Sequence, residues 1–281
     1  MRRLAAFAVT AIAVAAVPAA AQSIKGTVLD PSPDNLRATW DNALVTLPPA
    51  IPGGAPIQVK LKDLPPVDGG RRPVVVFMHG SSGIAGFVKE YQAWLAGSVG
   101  LASIAPDSLA IADRLTYQSP IDKPTYERVH TLRLAELRYA LDHAAALPWV
   151  DPARMVAAGT SEGAVPVARL DDPRPVARVI YAWSCEKNYF VEEDRTAIPP
   201  STPVLAIIAA KDPYFSPVNP WNRGTNVSGT CTAALRDHAA ATVVTLSTDK
   251  HTVVNFPEAQ TLAASFLARA LAPTGGTAPR P

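Results

Sequence analysis

Only two cysteines occur in 281 residues, so a cysteine-rich metal cluster and a disulfide-dense miniature scaffold are both excluded. No charge of one sign dominates: 26 basic residues face 24 acidic ones, which leaves no broad field to attract nucleic acid or an anionic membrane. There is no phosphate-cradling glycine loop, no dinucleotide fingerprint and no closely spaced set of metal ligands. Neither a metal nor a cofactor is therefore expected. Beyond residue 21 no apolar run reaches the length of a bilayer span, and neither a repeat nor a low-complexity linker divides the chain.

What is there begins with an address. Met1-Arg2-Arg3 is cationic, Leu4 to Ala16 is almost wholly apolar, and Pro18-Ala19-Ala20-Ala21 supplies small residues before Gln22. This reads as a secretory signal peptide over residues 1–21, placing the mature chain in the periplasm or outside the cell with no membrane span. Without Arg2 and Arg3, 24 basic residues balance 24 acidic ones. Export makes a disulfide between Cys185 and Cys231 the expected state, closing a loop of about 47 residues. Residues 22–272 are enough for one large domain, and 273–281 read as a disordered tail.

Short apolar runs predict two edge strands over 40–47 and 56–61, joined by a Pro- and Gly-rich turn. Continuous apolar strands suited to burial on both faces follow at 72–78, 101–106, up to Thr160, 176–182, 203–209 and 242–246. Between them helices are expected over 87–99, around Leu132, Leu137, Leu141 and Ala144, after Ser161, over 232–240 and over 257–271. Alternating strands and helices imply a doubly wound, mostly parallel α/β sheet with an antiparallel N-terminal edge, and functional loops at the strands' C-terminal ends.

Four such loops hold His79 to Gly83, Ser161, Asp212 and His251. The stretch Gly159-Thr160-Ser161-Glu162-Gly163 ends an apolar run, as a strand, a sharp turn and a helix carrying a serine nucleophile would. Its glycines are expected where side chains would collide. A serine needs a base, and the base needs an acid that fixes its tautomer; Ser161, His251 and Asp212 supply the three roles. Asp194 is a weaker alternative acid. His79 is expected to shape its own loop, and His130, His143 and His238 to lie on helices as packing or surface residues.

The order Ser161, Asp212, His251, the early His79-Gly80 and the Gly159-x-Ser161-x-Gly163 elbow together resemble the α/β-hydrolase superfamily, in its dienelactone-hydrolase-like branch. The resemblance covers roughly residues 72–271. It implies Ser161 as nucleophile, Asp212 as acid and His251 as base, with an oxyanion hole from the backbone N–H of Glu162 and of Ser81 or Ser82. Dienelactone hydrolases proper carry cysteine at the elbow, so their lactone substrate is not carried over to Ser161.

The Glu162 side chain reads as a carboxylate set against a helix dipole. Tyr117, Tyr189, Phe190, Tyr214, Phe215 and Trp221 form a candidate substrate pocket, and Arg114, Lys187, Arg195 and Lys211 read as solvated rim charges. The expected activity is cleavage of a small-molecule or polymeric carboxylic ester through an acyl-enzyme. Amide or peptide hydrolysis, polyester depolymerisation and a non-catalytic binding protein are the alternatives.

Overall fold

The computed structural model describes residues 23–272 apart from Pro52 and Arg195; the leader expected over 1–21, the tail expected over 273–281 and the rim charge Arg195 lie outside the described residues. In chain order the elements are β1 (Ile24–Lys25), α1 (Pro33–Asp41), β2 (Leu44–Leu47), β3 (Ile57–Lys60), β4 (Arg72–Met78), α2 (Gly86–Trp94), β5 (Ala102–Ala105), β6 (Thr116–Tyr117), α3 (Lys123–Ala146), β7 (Val150–Thr160), α4 (Ala164–Arg169), β8 (Ala177–Tyr181), β9 (Val204–Ala209), β10 (Ala241–Leu246) and α5 (Pro257–Ala270).

Among the described residues, eight strands make one sheet in the order β10-β9-β8-β7-β4-β5-β2-β3. Every pairing from β10 to β5 is parallel. β2 runs antiparallel to β5 and to β3, which gives the antiparallel N-terminal edge. β1 and β6 pair antiparallel in a separate small ribbon.

The apolar runs are continuous because both faces are covered. In β4, Val74, Val76 and Met78 enter one core while Val75 and Phe77 enter the other, and β9 divides Val204, Ala206 and Ile208 from Leu205, Ile207 and Ala209 in the same way. Period-two alternation thus feeds two hydrophobic layers rather than one. The first layer holds Leu137, Ala140 and Leu141 of α3 with Val165 and Val167 of α4. The second holds Val88 and Tyr91 of α2 with Ala259, Ala263 and Phe266 of α5.

Two expected elements differ. Trp40 belongs to the end of α1, not to a strand, and pairing begins only at Leu44. Ser32 caps that helix by accepting the Asn35 N–H at 3.4 Å, with Pro33 in its first turn; this start signal outweighs the apolar run that follows. The helix expected over 232–240 is a series of turns. Of its residues only Leu235 is buried, so a short helix there would have no apolar face to pack and nothing to offset its nucleation cost. Cys185 and Cys231 are bonded, with Cα atoms 4.8 Å apart, and the bridge fixes the start of those turns to the loop after β8. Among the described residues no helix is long and apolar enough to cross a membrane.

Candidate active site

The parallel strands deliver their loops to one edge of the sheet. β7 ends at Thr160, and Ser161 follows with φ of 55°, a left-handed conformation that costs a non-glycine residue about 1 kcal/mol. The chain then turns at once into a helical segment whose first turn contains Glu162. A Cβ on Gly159 would overlap the Gly163 carbonyl, and one on Gly163 would overlap the carbonyls of Met78 and His79 at the end of β4. The expected steric reason for both glycines therefore holds, and the second clash is with a neighbouring strand.

β9 and β10 carry the next two groups. Their pairing continues past the strands, Ala210 N–H donating to the Leu246 carbonyl at 2.8 Å and Lys211 N–H to the Thr248 carbonyl at 3.1 Å. Asp212 and His251 therefore leave the sheet side by side. Asp212 is fully buried; its Oδ1 accepts the N–H groups of Tyr214 and Phe215 at 2.9 and 3.0 Å, and its Oδ2 stands 2.8 Å from His251 Nδ1. The carboxylate is thereby oriented from both sides. His251 is partly exposed and packs edge-on to Tyr214, ring centroids 4.6 Å apart.

Ser161 and His251 line one cavity of about 420 Å³. Ser81 and Ser82 line it too, and Gly80 lies against the nucleophile candidate, where an added Cβ would stand 3.3 Å from Ser161 Cβ. The Gly83 N–H is engaged with the Gly80 carbonyl at 3.1 Å, which tightens this loop. All six aromatic residues expected at the pocket, Tyr117, Tyr189, Phe190, Tyr214, Phe215 and Trp221, line the same cavity. Tyr189 and Phe190 come from the irregular stretch after β8, and the Cys185–Cys231 bridge ties that stretch to the loop after β9. Asp194 instead borders a separate depression with Lys187 and Arg236. Among the described residues no group of three or more His, Cys, Asp or Glu is placed to hold a metal.

One reading of the sequence is extended here and one is corrected. Glu162 does stand in the first turn of a helical segment, but it is also completely buried, receiving Arg114 Nη2 at 2.8 Å and the Tyr117 hydroxyl at 2.7 Å, with Arg133 Nε at 3.5 Å. Arg114 is likewise buried rather than a solvated rim charge, whereas Lys187 and Lys211 are exposed. Burial alone would raise the Glu162 pKa, but Arg114, Arg133 and the Tyr117 hydroxyl outweigh it and bring it down to about 2. An unpaired charge there would be costly, and the pairing is what makes it tolerable.

Sequence reasoning missed Arg133 and Glu136, which pair at 2.8 Å on α3, both fully buried. Their signal was present: at i and i+3 they share the face that buries Leu137 and Ala140. Arg133 also donates to the His79 carbonyl at 2.8 Å. His79 Nε2 accepts the Ser108 N–H at 3.0 Å, so its proton sits on Nδ1 and is donated to the Gly80 carbonyl at 2.6 Å. The side chain shapes its own loop, as expected.

Burial, reinforced by Arg133, pushes the His79 pKa well below its ordinary value, and burial lowers that of His130 on α3. In the unfolded chain both titrate near the usual value of about 6.5. The unfolded chain thus binds more protons below that pH, so stability is full above it and falls on acidification toward the folded pKa values. The loss can reach about 1.4 kcal/mol per pH unit for each histidine. Urea midpoints should be lower at pH 5.0 than at pH 7.5; equal midpoints would contradict the buried neutral state of both rings.

No family model matches the sequence, and no curated protein does. Solved structures do match. A candidate dienelactone hydrolase from Klebsiella pneumoniae subsp. pneumoniae MGH 78578 aligns over 74% of this chain and 90% of its own, with TM-score 0.51 and 18% identity. A cold-adapted esterase from an Arctic intertidal metagenomic library covers 73% and 85%, with TM-score 0.50 and 16% identity. Est1E from Butyrivibrio proteoclasticus covers 82% and 94%, with TM-score 0.50 and 15% identity. The fold is that of the α/β-hydrolases of dienelactone-hydrolase-like type.

Proposed function

We propose that this protein is a serine hydrolase that cleaves carboxylic esters through an acyl-enzyme. The observation that carries the reading is Ser161 held at a left-handed turn over a cavity it shares with His251, whose Nδ1 stands 2.8 Å from the buried Asp212 carboxylate. In this reading His251 Nε2 takes the Ser161 proton as Oγ adds to the acyl carbon. The oxyanion is held by the N–H of Glu162, at the open start of a helical turn, and by that of Ser81 or Ser82. His251 then protonates the leaving alkoxide. Water, deprotonated by the same imidazole, attacks the acyl-enzyme and releases the acid and free Ser161.

The esterases among the structural neighbours support this chemistry, and a cavity of about 420 Å³ suits a compact acyl or aryl group. We further propose that residues 1–21 are an export leader and 22–272 the hydrolase domain, delivered to the periplasm or beyond. The Cys185–Cys231 bridge favours such an oxidising compartment.

The test is intact-mass spectrometry after exposure to a fluorophosphonate, with peptide mapping. One adduct on Ser161 is the expected outcome. A folded protein that takes no adduct would put the non-catalytic reading in its place.

A further inference from the structure

The cavity wall and the charge behind it are built as opposites. Seven aromatic side chains, Phe87 among them, share the cavity with Ser161, the neutral polar lining comes from the serines, threonines and Gln118, and no Asp, Glu, Lys or Arg among the described residues lines the space. Two guanidinium groups nonetheless stand one layer behind. Arg114 spends its donors inward: Nη2 on Glu162 Oε1 at 2.8 Å, Nε on Ser108 Oγ at 2.9 Å, Nη1 on the Leu115 carbonyl at 2.8 Å. Arg133 gives Nη1 to Glu136 and Nη2 to the His79 carbonyl, each at 2.8 Å, and turns Nε toward Glu162. In formal charge, two arginines face two glutamates.

Tyr117 is the partition. Its hydroxyl is given to Glu162 Oε2 at 2.7 Å, and its ring lines the cavity while packing edge-on to Tyr126, centroids 5.1 Å apart. A substrate therefore meets the ring and not the hydroxyl. Resting on the ester-hydrolase reading above, we propose that Glu162 determines the charge preference of the cavity: by engaging Arg114 and Arg133 behind Tyr117 it withholds both cations from the substrate. The site then takes uncharged, flat acyl groups and rejects those bearing a carboxylate. A carboxylate entering this cavity gives up part of its hydration and meets aromatic faces and neutral polar groups, with no Lys or Arg in return. Glu162 acts here as a positioning residue, distinct from the role of its backbone N–H.

The experiment compares kcat/KM for 4-nitrophenyl benzoate and its 4-carboxybenzoate analogue, which differ by one charge on the acyl group. The wild-type protein should prefer the neutral ester by about 100-fold or more. Glu162→Gln leaves one guanidinium unbalanced behind the wall, and the preference should shrink about tenfold, chiefly through a lower KM for the anionic ester. Adding Arg114→Met restores the balance and should return the preference to within about threefold of wild type. Taking the ratio cancels any general loss caused by disturbing the oxyanion amide. Equal wild-type rates on the two esters, or an unchanged preference in folded Glu162→Gln, would overturn the proposal. If Glu162→Gln does not fold, Arg114→Met alone decides the matter: it leaves Glu162 with one guanidinium fewer, so the preference for the neutral ester should widen several-fold, and an unchanged preference would overturn the proposal. Labelling of Ser161 without turnover of either ester would reject the substrate class alone, whereas absence of labelling would reject the hydrolase reading itself.

Discussion

Ser161→Ala is expected to lower kcat on an ester substrate by about 10⁶-fold, leaving the residual rate that binding and the oxyanion donors supply. The backbone reason to expect a clean loss is the turn itself. Alanine meets the same left-handed penalty as serine at φ of 55°, and the flanking collisions that fix the turn involve the main chain of residues 78, 79 and 163 rather than the serine side chain. The cavity should survive without its nucleophile. Because nucleophile and base act as a unit, Ser161→Ala combined with His251→Ala should be no slower than Ser161→Ala alone. Steady-state assays of mass-verified protein decide this, and a loss smaller than about 100-fold would place the nucleophile elsewhere.

Asp212→Asn is expected to cost about 10⁴-fold in kcat with little change in the fold. The geometry dictates how. Oδ1 accepts two backbone N–H groups, from Tyr214 and Phe215, so the amide oxygen of asparagine must occupy that position. The NH₂ is then forced into the Oδ2 position, 2.8 Å from His251 Nδ1. Two donors cannot face each other, so His251 would carry its proton on Nε2 and could not receive one from Ser161. Unchanged thermal unfolding together with the slow rate is the expected pair of results; a near wild-type rate would remove Asp212 from the role of acid.

The sheet was legible because strands buried on both faces leave continuous apolar runs, as in Val74 to Met78 and Val204 to Ala209, and because loops after parallel strands converge on one edge. Ser161, Asp212 and His251 could be gathered on that ground before any contact was known. The charged layer was not legible in the same way. Arg114 and Glu162 are 48 residues apart and His79 and Arg133 are 54 apart, and a lone arginine in a loop looks the same in sequence whether solvated or buried. Only the three-dimensional pairing distinguishes the two. The start of α1 was readable in principle from Ser32-Pro33-Asp34, but the apolar residues around Trp40 carried a competing strand pattern.

The close fit of Gly163 against the end of β4 has a consequence for how this protein can be altered. Where main chain meets main chain, almost no substitution is admissible, so the Ser161 turn and its neighbouring loop are a fixed frame for any library derived from this sequence. The aromatic wall after β8 and β9 is different, since its contacts are made by replaceable side chains on segments held by a covalent staple at Cys185 and Cys231. New substrate preferences should therefore be gained at Tyr189, Phe190, Tyr214 and Trp221, and a selection campaign that spends its diversity there would retain the largest share of folded clones.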